Sequence, residues 1–172
     1  MIKLIIVDVD GVLTDGTLVV GDAGENAKRF HVHDGLGLRL AMLAGKTVAL
    51  MTSAGSEAVR RRAEQLGIEH VYQYVPDKGA AYQNLRDELG LRDDEVCYIG
   101  DDLIDLPAMT RAGLAVAVAD AAEEVKAAAG LVTGRPGGRG AVREAVEHIL
   151  KNEGVWEDTI ARITEAGKAA TS

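Results

Sequence analysis

Short apolar runs alternate along the chain with longer segments that have helical spacing. The runs are rich in Val, Ile and Leu, which is typical of strands buried on both faces of a parallel sheet. Predicted strands occupy Lys3–Val9, Thr47–Met51, His70–Tyr74, Val96–Ile99, Leu114–Val118 and Leu131–Val132. Predicted helices occupy Leu36–Ala44, Glu57–Leu66, Lys78–Leu89, Leu103–Arg111, Ala122–Ala128 and Ala141–Asn152. This alternation predicts an α/β fold with a doubly wound, mostly parallel sheet covered by helices on both faces.

Two further candidate strands, Thr17–Val20 and Ala27–Val32, flank a glycine-containing turn at residues 21–24. They predict a small β-hairpin, the flap, over about residues 17–32. The interval between Asp8 and Thr52 has room for this flap and one helix, so no cap domain is expected. We therefore predict a single domain over residues 1–153. Residues 154–172 form a C-terminal tail with helical spacing that is expected to be partly ordered.

Composition narrows the functional class. The chain has 172 residues, of which 47% are hydrophobic and 27% charged, as expected of one soluble globular domain. Its formal net charge of −8 argues against a nucleic-acid partner. Its apolar runs are too short to cross a membrane, and the N-terminus lacks the pattern of a secretory signal. Cys97 is the only cysteine and lies in an apolar run, which favours a buried thiol in the reducing cytoplasm.

Polar residues follow several of the predicted strands. Because the carboxyl ends of parallel strands meet at one edge of a sheet, we expect these side chains to lie together near the topological switch point. Each one alone could simply cap a helix or start a turn. Several carboxylates at one edge repel one another unless a cation neutralises them, and an all-oxygen ligand set suits Mg²⁺. The set consists of Asp8, Asp10, Thr52, Ser53, Lys78, Asp101, Asp102 and Asp105.

The spacing of Asp8 and Asp10 predicts phosphoryl transfer. Side chains two positions apart in a strand point the same way, so both carboxylates can face the cleft. One can attack phosphorus, while the other protonates the leaving oxygen and later takes a proton from water. The Thr52 hydroxyl, the Lys78 ammonium and backbone N–H groups after Asp8 would hold the phosphoryl oxygens as charge builds.

Four stretches of the chain resemble the motifs of the haloacid dehalogenase superfamily of phosphatases. They are Asp8–Gly16, Thr52, Lys78 and Gly100–Asp105, in the order and strand context of that superfamily. The resemblance implies that Asp8 is the nucleophile and Asp10 the general acid and base. It implies Mg²⁺ on Asp8, on the backbone carbonyl of Asp10 and on Asp101. Asp102 and Asp105 would support the metal's water shell and Lys78.

Within this superfamily, the chain is similar to the phosphatases of 3-deoxy-D-manno-octulosonate 8-phosphate, which act in lipopolysaccharide biosynthesis. The matching stretches are Asp77-Lys78, Val116–Ala121 and Gly137–Glu144. The resemblance implies a sugar-acid phosphate substrate and a homotetramer in which neighbouring subunits cover each active site. Residues expected near the substrate are Gly11, Ser53, Asp34, Gly35 and Arg62.

The chain departs from the family pattern at Ala54, where such phosphatases usually carry an arginine that faces the sugar. Recognition of the substrate carboxylate must then come from elsewhere, and Arg62 is a candidate unless it lies on a solvated helix face. A phosphatase for a nine-carbon sugar-acid 9-phosphate, or for another sugar phosphate, stays an alternative. His31 and His33 could form a metal pair, although a hydrogen-bonded or solvent-facing pair is favoured because no third ligand is evident.

Two other classes fit less well. A phospho-receiver domain also has Asp, Thr and Lys at the rim of a doubly wound sheet, but its phosphoacceptor follows the third strand, whereas Asp8 follows the first. A nucleotide-binding module is disfavoured because Gly35-Leu36-Gly37 lacks the third glycine of the dinucleotide fingerprint, at Leu40.

Overall fold

A computed structural model describes residues 1–21 and 26–169 of the chain. The strands are β1 (Leu4–Val7), β2 (Val19–Val20), β3 (Asn26–Ala27), β4 (Thr47–Met51), β5 (His70–Tyr72), β6 (Val96–Gly100), β7 (Leu114–Ala117) and β8 (Leu131–Val132). The helices are α1 (Val32–Leu43), α2 (Glu57–Leu66), α3 (Lys78–Glu88), α4 (Leu106–Met109), α5 (Glu123–Ala128), α6 (Ala141–Asn152) and α7 (Trp156–Ala169).

Six strands form one parallel sheet in the order β5-β4-β1-β6-β7-β8. Strand β1 lies between β4 and β6, and all four of its residues are fully buried. Continuous apolar runs of this kind fit strands that are covered on both sides. One group of flanking helices contains α1, α6 and α7, and another contains α3, α4 and α5. The predicted α/β class is confirmed.

The order in which strands are added to the sheet reverses at β1. Strands β4 and β5 lie on one side of β1, and β6, β7 and β8 lie on the other. In open α/β sheets, ligands bind beyond the carboxyl ends of the strands at such a switch point. Asp8, Thr52 and Asp101 directly follow β1, β4 and β6. The topology therefore brings these three residues to one edge of the sheet.

The first strand is shorter than predicted, because the chain leaves the sheet after Val7. Residues Val9–Leu13 form a single wide helical turn, closed by a 3.0 Å hydrogen bond from the Thr14 N–H to the Val9 carbonyl. Gly11 has a φ of 94° inside this turn, in the left-handed region that favours glycine. Asp8 lies directly before this turn and Asp10 lies within it.

The flap is also shorter than predicted. Strands β2 and β3 pair antiparallel, with Val19 opposite Ala27 and Val20 opposite Asn26. The second flap strand was expected to reach Val32, but α1 begins at that residue. His31 caps the helix, since its Nδ1 accepts a 3.2 Å hydrogen bond from the His33 N–H. Residues 22–24 of the predicted turn lie outside the described residues.

Two later segments differ from their predicted form. The helix expected at Leu103–Arg111 is divided into a 3-10 turn at Leu103–Asp105 and the short helix α4, which has Pro107 in its first turn. The tail contains helix α7, which packs against α1 and α6. Among the helices of the described part of the chain, none is both long enough and apolar enough to span a bilayer.

Candidate active site

A cavity of about 370 Å³ opens at the carboxyl edge of the sheet. Its wall is formed by the ends of β1, β4 and β6, by the flap, and by the loop after β6. The residues that line it are Asp8, Asp10, Gly16, Leu18, Thr52, Ser53, Ala54, Asp101, Asp102 and Ile104. Its volume lies within the range of small-molecule sites.

Lys78 lies beneath this cavity and joins two carboxylates. Its Nζ is 2.8 Å from Oδ1 of Asp8 and 2.6 Å from Oδ1 of Asp105, and its side chain is only 1% exposed. The lysine is the first residue of α3, and Asp77 caps that helix through a 3.0 Å bond from the Ala80 N–H. The two carboxylates raise the pKa of Lys78 against the opposing effect of burial, so the lysine stays charged.

Asp105 is fully buried and orients its neighbours. Besides Lys78, its Oδ1 accepts a 2.8 Å hydrogen bond from the Tyr98 hydroxyl. Its Oδ2 accepts hydrogen bonds from the backbone N–H groups of Asp101, at 3.0 Å, and Asp102, at 3.3 Å. These four donors fix the loop that carries Asp101, and they occupy the lone pairs that a metal would otherwise need.

Asp8 and Asp101 differ from Asp105 because they retain capacity for a cation. One carboxylate oxygen from each of the three residues lies within 4.8 Å of the others. In the described part of the chain, Oδ1 of Asp101 is buried and has no hydrogen-bond partner. Burial, together with the charge of Asp105, raises the pKa of Asp8 to about 6. Burial, together with the charge of Asp8, raises the pKa of Asp101 to about 8.

These observations fit a hard divalent cation. Asp8 is buried and Asp101 is half-buried, and burial and mutual repulsion disfavour their ionised forms, which become stable once a cation lies between them. Mg²⁺ prefers a small number of protein oxygen ligands and open space for water and phosphate oxygens. The residues present therefore fit Mg²⁺ as the cofactor.

Glycines allow the loops around this site to approach one another. A Cβ on Gly11 would lie 1.9 Å from Oδ2 of Asp101, and a Cβ on Gly137 would lie 1.7 Å from the Gly11 carbonyl oxygen. The Gly138 N–H donates a 2.8 Å hydrogen bond to the Val12 carbonyl. The glycine-rich stretch at Gly137–Gly140 therefore supports the turn that follows Asp8 through close backbone contact.

Thr52 is held in the cavity wall by strand β5. Its backbone N–H donates to the Tyr72 carbonyl at 2.9 Å, and its own carbonyl accepts from the Val75 N–H at 3.1 Å. Its Oγ1 accepts a 3.2 Å bond from the Ala54 N–H, which leaves the hydroxyl hydrogen available to a ligand. Ser53 and Ala54 continue the same wall.

Asp10 lines the cavity beside Asp8 and forms an ion pair that the sequence did not predict. Its Oδ1 is bound by Nζ of Lys28, a residue of the flap whose side chain is only 6% exposed. Nothing in the pattern around Lys28 distinguishes it from a solvated lysine, because the contact depends on how the flap folds back. The sequence also gives no signal for the Tyr98 hydroxyl, which donates a hydrogen bond to Asp105, because Tyr98 lies within an apolar strand.

The structure does not bring Asp34, Gly35 and Arg62 into the cavity. Both carboxylate oxygens of Asp34 accept hydrogen bonds from backbone N–H groups at the start of α6. The guanidinium of Arg62 packs over Gly35 and lies 5.9 Å from the ring centroid of Phe30. Asp34 therefore links α1 to α6, and the contact of Arg62 with Gly35 links α2 to α1.

Comparison with known proteins gives the family. Residues 52–145 match the haloacid dehalogenase-like hydrolase family. The chain belongs to this family. Its curated relatives include the 3-deoxy-D-manno-octulosonate 8-phosphate phosphatase KdsC of Escherichia coli K12, to which it is 44% identical over 91% of this chain and 84% of that protein.

Solved structures of family members agree with this assignment. The phosphatase of the same name from Yersinia pestis has a TM-score of 0.89 and 45% identity, over 91% of this chain and 84% of that one. That from Moraxella catarrhalis, solved with a magnesium ion, a phosphate ion and a KDO molecule, has a TM-score of 0.91 and 41% identity, over 94% of this chain and 93% of that one. The resemblance noted in the sequence is thereby confirmed.

Proposed function

We propose that the protein is a Mg²⁺-dependent phosphatase that hydrolyses 3-deoxy-D-manno-octulosonate 8-phosphate to the free sugar acid and inorganic phosphate. The observation that carries this proposal is the pairing of the buried Asp8 with the half-buried Asp101, two carboxylates with raised pKa values that line one cavity. The relatives named above support the choice of substrate.

The cation would be held by Asp8, by Asp101 and by the backbone carbonyl of Asp10. When bound, Mg²⁺ supplies positive charge that neutralises the carboxylates and the phosphoryl oxygens. Lys78 supplies a second positive charge from below, and it is held in place by Asp105. Several cationic groups around a dianionic phosphate ester explain how a chain with a net charge of −8 can bind such a substrate.

In the first step of the proposed mechanism, a carboxylate oxygen of Asp8 attacks phosphorus. The bond from phosphorus to the sugar oxygen breaks, and Asp10 gives its proton to that oxygen as the free sugar acid leaves. An aspartyl phosphate on Asp8 results. The Lys78 ammonium and the Thr52 hydroxyl can donate hydrogen bonds to the phosphoryl oxygens, where negative charge accumulates.

In the second step, Asp10 acts as a base. It takes a proton from a water molecule, whose oxygen attacks phosphorus and breaks the bond to Asp8. Inorganic phosphate forms, Asp8 is regenerated as a carboxylate, and Asp10 is again protonated. Both steps require Asp8 and Asp10 at one cavity, and the presence of both side chains in its wall supports the proposal.

A phosphatase for a nine-carbon sugar-acid 9-phosphate is the second candidate. The observation that favours it is Ala54, which lines the cavity but brings no charge to a position where the resembling family usually has arginine. The side chain of Arg62 points elsewhere, over Phe30 and Gly35. Recognition of the sugar carboxylate must therefore use other groups, and the preferred sugar can differ from that of relatives.

Turnover of both sugar-acid phosphates tests the proposal. Purified protein should release inorganic phosphate from 3-deoxy-D-manno-octulosonate 8-phosphate with the higher kcat/KM, and EDTA should abolish turnover until Mg²⁺ is added back. A higher kcat/KM for the nine-carbon 9-phosphate would favour the second candidate. Absence of Mg²⁺-dependent turnover of any sugar phosphate would contradict both.

We also propose a homotetramer in which flaps of neighbouring subunits pack together. Leu18, Val19 and Val20 in the flap are 67%, 49% and 74% exposed, which is unusual for three consecutive apolar side chains. A two-stranded hairpin alone is marginally stable in water, and pairing with a copy of itself would cover its apolar face and its edges.

We further propose a cytoplasmic location, which is supported by the single, fully buried Cys97.

A further inference from the structure

Lys28 has surroundings that are unusual for a flap residue. Its side chain is 6% exposed, whereas that of Arg29, next to it in the chain, is 77% exposed. Burying an ammonium group is unfavourable unless an opposite charge compensates for the lost hydration. The compensating group is the carboxylate of Asp10, bound through Oδ1. The flap lysine is therefore directed at the residue proposed as the general acid.

The same contact fixes the flap to the domain. The flap exposes Leu18, Val19 and Val20 to solvent, while Phe30 near its end packs, partly buried, against the core. Among the described residues of the flap, two form ion pairs with the domain, Lys28 with Asp10 and Arg29 with Asp15, the second at 3.3 Å. The two carboxylates are similarly exposed, at 26% for Asp10 and 25% for Asp15, but the Lys28 side chain is far less exposed than that of Arg29, so solvent screens the Arg29 pair more. The Lys28–Asp10 pair is thus the firmer of the two attachments.

Lys28 also determines which oxygen of Asp10 can carry a proton. The ammonium can only donate hydrogen bonds, so the oxygen that it contacts must accept. That oxygen is Oδ1, so whenever Asp10 takes up a proton in the proposed mechanism, Oδ2 is the oxygen that carries it. A general acid must place its proton within hydrogen-bonding reach of the leaving oxygen, so this choice bears directly on catalysis.

We propose that Lys28 is a positioning residue for Asp10, which holds Oδ1 so that Oδ2 delivers the proton to the leaving sugar oxygen. This inference rests on the proposed function. As the ester bond breaks, its electron pair moves onto the sugar oxygen, the Oδ2 proton follows, and Asp10 becomes a carboxylate beside Lys28. The attack of water reverses the proton movement. Lys28 keeps its three protons throughout.

The chemistry of the leaving group provides the test. A sugar alkoxide is strongly basic and leaves only with a proton, whereas p-nitrophenolate is a weak base and leaves without one. Lys28→Met removes the ammonium and keeps the length of the side chain. Arg29→Met is the matched control, because it removes a neighbouring charge of the same flap that does not contact Asp10. Each variant is assayed with Mg²⁺ on the sugar-acid phosphate and on p-nitrophenyl phosphate.

We expect Lys28→Met to lower kcat/KM for the sugar-acid phosphate by about 10- to 100-fold, a part of the roughly 100- to 10,000-fold that a general acid contributes. For p-nitrophenyl phosphate, whose leaving group needs no proton, kcat/KM should fall by less than about threefold. Lys28→Arg, which keeps the charge, should recover much of the loss. Arg29→Met should leave both substrates within about twofold of wild type, given the weakness of exposed pairs. Circular dichroism and Tm establish that each variant is folded.

Equal losses on both substrates, or no loss on either, would overturn the role of Lys28. If Lys28→Met does not fold, the same comparison is made with Lys28→Gln, which also removes the charge and should again affect the sugar-acid phosphate more than p-nitrophenyl phosphate. A failure of the proposed function looks different, because wild-type protein would then hydrolyse p-nitrophenyl phosphate but not the sugar-acid phosphate. In that case, an alkyl phosphate that the protein does hydrolyse replaces the sugar in the comparison.

Discussion

The carboxylate of Asp34 in α1 accepts a 3.0 Å hydrogen bond from the backbone N–H of Arg143 in α6. Its other oxygen accepts one of 3.0 Å from the Gly140 N–H, and the residue is 1% exposed. The first N–H groups of a helix lack partners within the helix, and its N-terminus favours negative charge. Asp34 therefore caps α6 from a neighbouring helix and joins two parts of the chain that are distant in sequence.

Replacing Asp34 should reduce stability far more than catalysis. Asp34→Ala leaves two N–H groups without their acceptor, which should lower the free energy of unfolding by about 2–4 kcal/mol. For a chain of this size, such a loss lowers Tm by about 5–15 °C. Because Asp34 does not line the cavity, kcat/KM measured well below Tm should stay within about threefold of wild type.

Asp158→Ala is a suitable control for this variant. Asp158 also lies in the first turn of a helix, but it is exposed, so its loss should change stability by only about 0.3–1 kcal/mol. Thermal melts and steady-state kinetics on both variants check the comparison. A large loss of kcat/KM in folded Asp34→Ala would instead support the substrate contact expected from the sequence.

Mg²⁺ affinity should rise with pH. In the metal-free protein, the pKa of Asp8 is about 6 and that of Asp101 is about 8, both above the usual 3.8. Protons compete with the cation, so between pH 6 and pH 8 one proton must leave Asp101 for each ion bound. The dissociation constant should then fall by up to about tenfold per pH unit in this window, and more steeply below pH 6. Calorimetric titration at pH 6, 7 and 8 measures the change.

The same pKa values predict how stability depends on pH without metal. Between pH 4 and pH 8 the folded state binds more protons than the unfolded state, so metal-free protein loses stability as pH rises through this range. Mg²⁺ at about 100 times its dissociation constant should restore about 2.7 kcal/mol. Asp101→Asn, which cannot titrate at that position, should show a much weaker dependence. At one fixed Mg²⁺ concentration, a Mg²⁺-induced change in Tm that is independent of pH in wild type would contradict the assigned site.

Replacement of Asp8 and replacement of Asp10 should have different effects on catalysis. Asp8→Asn removes the attacking oxygen, so kcat should fall by more than about 1000-fold on every phosphate ester. Asp10→Asn removes the proton donor, so kcat/KM, which reports the first step, should fall by about 100- to 10,000-fold on the sugar-acid phosphate and much less on p-nitrophenyl phosphate. On both substrates kcat should fall, because Asp10 is the base in the second step that they share. Substantial turnover by Asp8→Asn would show that the nucleophile is assigned wrongly. Circular dichroism confirms folding of both variants.

Gly137→Ala should disturb the active-site turn from behind. The new Cβ would lie 1.7 Å from the Gly11 carbonyl oxygen, so the backbone must move. We expect stability to fall by about 1–3 kcal/mol, as for overpacking elsewhere. A shift of about 1 Å in the turn that carries Asp10 should lower kcat/KM by about 100-fold.

Gly130→Ala provides the comparison for that variant. A Cβ at Gly130 would meet the Ala115 carbonyl oxygen at 3.7 Å, an ordinary contact, so activity and Tm should change little. Kinetics and thermal melts of the two alanine variants separate close backbone contact from the general effect of replacing a loop glycine. Similar results for both would show that the turn is not supported in the way described.

The flap should control oligomeric state. Light scattering at micromolar concentration should give four times the chain mass for wild type, and Val20→Asp should dissociate the assembly by placing a charge in its apolar contact. Tyr74→Asp changes a residue that is as exposed as Val20, at 74%, but lies outside the flap, and it should leave the mass unchanged. A monomeric wild type would exclude the proposed tetramer.

Most of the fold could be predicted because its strands are buried on both faces and so appear as continuous apolar runs. The same reasoning places Asp8, Thr52 and Asp101 at one edge, since it requires only parallel neighbours and their carboxyl ends. The limits of β4 agree with the prediction at both ends. Errors occur where apolar spacing ends, as at Val9 and in the second flap strand, because turns and caps depend on individual side-chain contacts.

The rest of the site depends on packing that the local sequence does not encode. Asp34 was expected near the substrate because α1 was predicted to begin at Leu36, after it; the helix begins at Val32, and Asp34 faces α6 instead. Lys28 contacts Asp10 only because the flap folds back over the first turn. Both are pairings between elements whose relative position is set by tertiary structure, so no spacing rule predicts them.

Trp156 is the only tryptophan of the chain. Its ring lies against the cationic groups of Arg143, at 5.5 Å, and Lys151, at 5.1 Å, where α7 meets α6. Intrinsic fluorescence therefore reports on the attachment of the C-terminal helix and not directly on the cavity. A denaturation curve followed by this signal, set beside one followed by loss of turnover, would show whether the C-terminal helix detaches before the catalytic edge of the sheet unravels.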